Sequence, residues 1–401
     1  MTVLLIVIYL AFIGLGLPDS LLGSAWPVMR LDIGSQLSAA GIISLIICGG
    51  TIISALCGNR VIHRFGTHRV TFVSVLMTAL SLLGMAYSPS FLGLCLFAVP
   101  LGLGAGSIDA ALNNFVALNY KASHMNWLHC SWGVGATTGP IVMSFFMRES
   151  IGWRGGYMAV SGMLFAVALV LLFSLPLWKE SKHYPQVGEQ DRRAEIITNR
   201  QALSIRGVKY ALASFLCYCG CELSAGLWAA SYLVEQRGLD GATAATWASL
   251  YYGGITVGRF ISGFAAAKLR GYCLIRLGCS VCLIGAVILI LPLPAVYALM
   301  GLVLIGFGCA PFYPAMIHET PGRFGEENSQ AAMGLQMASA YIGSTFLPPF
   351  VGALSKYFTL AILPWFLLTL IVGMLAFSER LSFKPSSSPK PRYGRRPLRR
   401  P

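Results

Sequence analysis

Residues 3–29 read VLLIVIYLAFIGLGLPDSLLGSAWPVM, an apolar run whose one charged residue is Asp19. A helix rises about 1.5 Å per residue and a bilayer core is roughly 30 Å thick, so about 20 such residues cross a membrane. The run is long enough. No basic segment precedes it, and no small-residue cleavage site with a soluble domain follows. It is therefore expected to be a retained first span and not a removable signal.

Outward from this run the pattern repeats. Apolar segments fall at 36–57, 68–88, 91–118, 125–147, 153–177, 207–234, 242–266, 272–292, 294–317, 329–355 and 358–378. With the first, that predicts an all-α integral membrane protein of twelve transmembrane helices. Very short turns, Ser88-Pro89-Ser90 and Pro292-Leu293-Pro294, join two of the pairs. Composition agrees. Of 401 residues 56% are hydrophobic and only 11% are Asp, Glu, Lys or Arg, against roughly 25% in soluble domains. So few charges would not cover a soluble protein of this size, whereas lipid solvates the outside of a helical bundle.

The net charge of +14 does not point to nucleic acid, because it lies in short loops and a tail between apolar runs. If both termini are cytoplasmic, 23 of the 29 Lys and Arg residues fall inside and five outside. The remaining one, Arg259, sits within a span. That asymmetry predicts both ends in the cytoplasm, in a cell membrane of the bacterial inner-membrane type. The polar stretch 179–206 divides the spans six and six. The expected organisation is a bundle over 1–178, a cytoplasmic linker over 179–206, a second bundle over 207–378, and a basic, disordered tail over 379–401. Most of the eleven cysteines lie in apolar runs and read as small packing residues. Of Cys217, Cys219 and Cys221 only the outer two share a helical face, and no His flanks them, so neither metal nor cofactor is expected.

The two halves share landmarks. Asp19 and Trp26 match Glu222 and Trp228, Gly49-Gly50 match Gly253-Gly254, and Gly66 matches Gly271, all at offsets of 202 to 205. Two six-helix units related in this way form parallel repeats, with a solute site near mid-membrane between them.

Residues 59–69, Asn-Arg-Val-Ile-His-Arg-Phe-Gly-Thr-His-Arg, resemble the loop signature of the major facilitator superfamily. Arg64 and Gly66 agree with it, while Asn59 and His63 stand where that family has Gly and Asp. Gly258-Arg259-Phe260 and Gly263 resemble the family's eighth span. More narrowly, Asp19-Ser20-Leu21-Leu22 and Asp109-Ala-Ala-Leu-Asn113-Asn114-Phe-Val116 resemble motifs of the fucose permease branch of sugar–proton symporters. That resemblance implies that Asp19 and Asp109 line a central cavity and take part in proton coupling and sugar binding. Gly135-Ala-Thr-Thr-Gly139-Pro140 resembles part of an efflux-antiporter motif, and the same spacing also permits close helix packing.

The residue chemistry can be read independently of the resemblance. A carboxylate at the centre of a span costs about 2.5–3.5 kcal/mol on insertion scales, so it persists where it faces a cavity or a partner. Asp19 stands among Gly14, Gly16, Pro18, Gly23 and Pro27, a poor continuous helix; it is read as a solute or proton site, or as a cap for the broken helix. Asp109 has Asn113 one turn on and Asn114 close by, donors and acceptors suited to hydroxyls. His129 is a candidate proton-exchange partner or a structural residue. Glu222 mirrors Asp19. Arg259 is expected to pair with an acid or with carbonyls, and Gly258 belongs with it. Trp26, Trp132, Trp228 and Tyr313 offer faces for stacking on a sugar, or core packing; Gln336 offers hydrogen bonds.

The expected function is secondary active transport of a small polar solute, such as a sugar, by alternating access with a proton as coupling ion. The alternatives are proton-driven efflux of drugs or metabolites and, in another class, a non-transporting receptor or scaffold. Phosphate-binding, zinc-protease and nucleophile motifs are missing from the sequence, so an enzyme is not expected.

Overall fold

A computed structural model describes residues 2–120, 122–180, 199–266 and 268–382. Among them the chain is almost wholly helical: α1 (Thr2–Asp19), α2 (Leu21–Asp32), α3 (Ala39–Phe65), α4 (Thr67–Tyr87), α5 (Phe91–Asn119), α6 (Ala122–Met147), α7 (Gly152–Ser174), α8 (Asn199–Ser204), α9 (Val208–Arg237), α10 (Gly241–Ala265), α11 (Gly271–Ile290), α12 (Ala295–Cys309), α13 (Phe312–Phe324), α14 (Glu326–Phe358) and α15 (Ile362–Ser382). Most of the linker and the tail expected from sequence lie outside the described residues, as do the side chains of Asn59, His63 and Asn114.

Two spans are broken, the first of them in the stretch that reads from sequence as a poor continuous helix. The first divides at Ser20, after Pro18, whose nitrogen cannot donate into the helix. There Ser24 Oγ donates to the carbonyls of Ser20 (2.9 Å) and Leu21 (3.0 Å). The tenth divides at Ala310-Pro311 for the same reason and then runs on to Phe324. Taking α1–α2 and α12–α13 as single spans, ten helical runs are long and apolar enough to cross a membrane. The fifth and eighth expected spans, α6 and α10, have the length, 26 and 25 residues, but are less apolar than the rest. Their location explains the difference. They pack on each other across the two halves, so lipid does not have to solvate their facing sides. Their shared seam is polar: Ser144 Oγ donates to the Ala242 carbonyl at 2.7 Å and meets Thr246 Oγ1 at 2.6 Å, and Thr137 Oγ1 lies 3.4 Å from Thr256 Oγ1.

The repeat is visible in the packing. In the first half α3 lies along α5 and α1 along α6; in the second, α10 lies along α12 and α9 along α14. The second glycine of each pair marks the crossing. A β-carbon on Gly50 would come within 3.0 Å of the Leu103 nitrogen, and one on Gly254 within 2.6 Å of the Val303 carbonyl oxygen. Gly66 joins α3 to α4 at φ +82°, a left-handed conformation that glycine adopts without strain. Large apolar side chains such as Leu56, Phe173, Phe264 and Phe346 are exposed around the bundle, as a lipid-facing surface requires.

The halves meet along α6 and α10, where Trp127 packs edge-on against Phe260, and also at the end away from the N-terminus. There Arg30 at the end of α2 pairs with Glu235 near the end of α9. Gly23 of α2 sits against the Leu227 carbonyl (a β-carbon there would be at 2.9 Å), and Gly41 of α3 against Pro349 of α14.

Candidate functional site

The break in the first span places Asp19 at mid-helix, and its side chain is solvent-exposed although protein surrounds it. It therefore opens into a hollow between the helices. The indole N–H of Trp132, on α6, donates to Asp19 Oδ2 at 2.7 Å. The other face of that contact belongs to the second half: the guanidinium of Arg259, on α10, lies 4.9 Å from the Trp132 ring centroid. Such a stacked cation is attracted by the ring's quadrupole. Arg259 Nη2 in turn reaches Glu222 Oε1, on α9, at 3.4 Å. One chain of contacts thus links the acid of the first half to the acid at the matching place in the second.

Asp109 and Asn113 occupy successive turns of α5. Asn113 Nδ2 donates to the Asp109 carboxylate at 2.8 Å and to its backbone carbonyl at 3.0 Å, the i, i+4 geometry of one helical face. Asp109 lies within electrostatic reach of Asp19 and, in the second half, of Tyr313 and Tyr341. Tyr313 also donates its hydroxyl to Met337 Sδ at 3.2 Å and packs edge-on against Phe215.

Other expected residues stand elsewhere. Trp26 and Trp228 are wholly buried, and their indole nitrogens donate to the Leu37 and Pro348 carbonyls, each at 2.8 Å. Of the two readings the sequence left open for them, this environment is that of core packing. Gln336, also buried, accepts from Thr320 Oγ1 at 3.1 Å and braces α14 on α13. His129 packs edge-on against Phe12. Gly258 lets α10 approach α12: a β-carbon would lie 2.7 Å from Ala310 Cβ. Arg64 is exposed at the end of α3. The Gly135 and Gly139 pair is a contact surface for α1, since β-carbons there would come 2.9 Å from the Leu17 nitrogen and 2.5 Å from its carbonyl oxygen.

Sequence reasoning passed over Tyr218 and Tyr341. Tyr218 stands one turn before Glu222, stacks on Phe312 (5.0 Å between centroids) and interacts with both Glu222 and Arg259. Its i, i+4 spacing from the acid was the available signal. Tyr341 carries none, because nothing local says which face of α14 turns inward.

Comparison with known proteins agrees with this architecture. The chain is 23% identical over 243 residues to the cis,cis-muconate transport protein of Acinetobacter baylyi, covering 57% of each. It is 23% identical over 313 residues to the glucose/mannose transporter GlcP of Bacillus subtilis, covering 76% of this chain and 77% of that one. Against the first curated relatives it matches, the chain spans only a little over half of their length. A solved bacterial homologue of the human lysosomal transporter Spinster, in an inward-facing and occupied conformation, superposes with a TM-score of 0.72 at 12% identity over 95% of this chain and 96% of that one; at that identity the likeness speaks for the fold. The family model for the Major Facilitator Superfamily matches residues 8–318. With that match over most of its length and ten described helical runs able to cross a membrane, this chain is a member of the Major Facilitator Superfamily and a multi-pass membrane protein.

Proposed function

We propose that the chain carries a small polar solute, sugar-like in its hydroxyl chemistry, between its two halves by alternating access, with a proton as coupling ion. The observation that carries this reading is the chain of polar contacts that joins the halves, Asp19–Trp132–Arg259–Glu222, with the Asp109–Asn113 pair on α5 as a further hydrogen-bonding group. One guanidinium pairs with one of these three carboxylates, Glu222, while Asp19 and Asp109 have only neutral hydrogen-bond donors. An excess of negative charge in a closed, dry cavity is costly, so a proton on one acid lowers the barrier to occlusion. Solute hydroxyls find acceptors on the carboxylates and a donor on Asn113.

The likeness to GlcP supports a sugar, and the two first-half motifs support the fucose permease branch. The matches to muconate and hydroxybenzoate transporters keep organic acids in view. Because Gly135 and Gly139 serve to seat α6 on α1, they add little weight to efflux. The domain limits we adopt are 1–178, 179–206, 207–378 and 379–401. The lysine and arginine asymmetry supports cytoplasmic termini in a bacterial inner membrane. On that orientation the contacts around Arg30–Glu235 lie at the outer end.

The test is flux in proteoliposomes under an imposed pH gradient across a panel of sugars. Asp109→Asn and Asp19→Asn are each expected to lose gradient-driven accumulation by at least about tenfold, which corresponds to about 1.4 kcal/mol of lost coupling. If both variants accumulate solute as the parent protein does, the proton scheme is wrong. Binding without flux for every solute would make the chain a receptor.

A further inference from the structure

Among the described residues the Arg259–Glu222 pair is the most buried of the ion pairs, and at 3.4 Å it is as long as the exposed Arg154–Asp32 contact at 3.3 Å. Arg276 grips Glu379 with two branches, one at 2.6 Å, and Arg30 closes tightly on Glu235. Both lie at bundle ends, where water already solvates them. Arg259 and Glu222 lie at mid-depth, with only 17% and 10% of their side chains exposed. There a loose pair is hardest to sustain, because desolvation is repaid only by good geometry. Yet the contact is single and long at 3.4 Å, against the 2.7–2.9 Å usual for a charged pair. Glu222 Oε2 is buried with no hydrogen-bond partner among the described residues. The guanidinium is held in place from outside this pair by the Trp132 face at 4.9 Å. A positioned cation with one long contact stands beside a buried carboxylate oxygen that accepts no hydrogen bond of normal geometry.

We infer that the transported solute is a hydroxy acid, a singly charged carboxylate bearing hydroxyl groups, whose carboxylate is taken by Arg259 on its Trp132 platform while a solute hydroxyl donates to Glu222 Oε2. This rests on the transport reading above and narrows it. The planar fork of a guanidinium matches a carboxylate with two parallel hydrogen bonds. The two oxygens of a solute carboxylate take up donors that Glu222 meets only at arm's length. One hydroxyl then supplies the proton that Oε2 lacks, and further hydroxyls reach Asp109–Asn113 across the hollow. The other two acids do not compete for the cation, because Asp19 has the Trp132 indole and Asp109 has Asn113. A neutral sugar would leave the guanidinium as it stands. A phosphate dianion would bring two charges to one cation. Both aliphatic and aromatic hydroxy acids carry the required chemistry, and the hollow offers aromatic walls in Tyr218, Tyr313 and Tyr341.

The experiment uses the full-length protein, purified and titrated by thermal stabilisation with gluconate and with 4-hydroxybenzoate. Their neutral counterparts, sorbitol and 4-hydroxybenzyl alcohol, serve as comparators. At least one acid is expected to raise the unfolding temperature while its counterpart does not; which acid responds distinguishes a sugar acid from an aromatic one. Arg259→Lys keeps the charge but loses the fork, and is expected to reduce the acid-over-alcohol preference by at least about tenfold, the scale of a charge-assisted hydrogen bond. Arg259→Gln is expected to abolish it; if that variant is not recovered folded, the lysine variant decides. Equal stabilisation by acid and alcohol, no response to either acid, or an undiminished preference in Arg259→Lys would each overturn the inference. If a neutral sugar stabilises the protein and accumulates while both acids stay silent, the hydroxy-acid assignment falls and transport of a polar solute stands. If no solute binds or moves, both fall.

Discussion

Asp19 and Glu222 hold matching places in the two halves, and the halves treat them differently. Asp19 follows a proline, ends a helix and is exposed to the hollow, bonded by a neutral indole. Glu222 lies inside the unbroken α9, is 8% exposed and faces a cation. The shared scaffold fixes where an acid stands; the local backbone decides whether water or protein solvates it. An acid that water reaches can exchange a proton with the hollow. One buried beside a guanidinium holds that guanidinium in the bundle and changes partners only when something else takes the cation.

The contrast is open to a direct attack. Glu222→Ala leaves Arg259 without a carboxylate at mid-depth, and removing one member of a buried pair costs about 3 kcal/mol or more. Asp19→Ala gives up one hydrogen bond at a wet position, about 1 kcal/mol. Thermal unfolding in one detergent should therefore show a large downward shift for the first variant and a small one for the second. Shifts of equal size would mean that the two acids share one environment, and the division of roles between halves would be lost.

Much of this was legible in the sequence because membranes simplify the problem. The apolar run length that exposes 3–29 as a span, and the glycine pairs that mark where helices cross, follow from bilayer thickness and backbone contact alone. The Asp109–Asn113 pair is legible too, since i, i+4 spacing fixes it within one helix. What failed was relational. Trp26 and Trp132 are both tryptophans near an acid, yet one is sealed in the core and the other bridges the halves. No local pattern tells which way each faces. The acid partner of Arg259 lies 37 residues away on another helix, so the sequence could promise an acid but could not choose one. The low apolarity of α6 and α10 was a clue to the seam between the halves, and it becomes readable only once those helices are known to face each other.

The glycine pairs sharpen the comparison next. A methyl group on Gly254 would meet the Val303 carbonyl at 2.6 Å, whereas one on Gly253 meets only Thr137 Cγ2 at 3.7 Å. Gly254→Ala is expected to cost about 1–3 kcal/mol by overpacking. Gly253→Ala is expected to be neutral or to gain a few tenths of a kcal/mol from helix propensity. In the first half Gly49 has open space and Gly50 the tighter 3.0 Å approach, so the ranking should repeat there with a smaller gap. If the first glycine of a pair proves the more sensitive one, the helix crossings are misplaced.

Smaller still is the cap of α10. Asp240 accepts from the Thr243 backbone N–H at 2.9 Å. Hydrogen bonds from Thr243 hold its carboxyl below the ordinary Asp value of 3.8. Because the folded value is depressed, the cap's contribution is present in full above the ordinary value and is lost as pH falls through the folded one. Asp240→Ala should cost about 1 kcal/mol near neutrality and nothing in strong acid. A variant whose deficit is independent of pH would show that the cap does not act through its charge.

The smallest stability effect has the most to say about motion. Arg30 and Glu235 join the halves at the end away from the N-terminus, with 21% and 26% of their side chains exposed, and pairs of this kind contribute about 0.5–1 kcal/mol. That is little in an unfolding curve. Between two conformations it is a factor of about two to five in population, because the pair exists only while that end is shut. Glu235→Gln should leave the unfolding temperature nearly unchanged. It should raise, by that factor, the rate at which a thiol reagent applied from that end labels a cysteine placed at Val28, which lies against Gly241 across the seam. A double variant, Arg30→Gln with Glu235→Gln, should label no faster than the single one, since the same contact is already broken. Additive increases would mean that each residue holds the end closed through some other partner, and that the two halves are not tied by this pair.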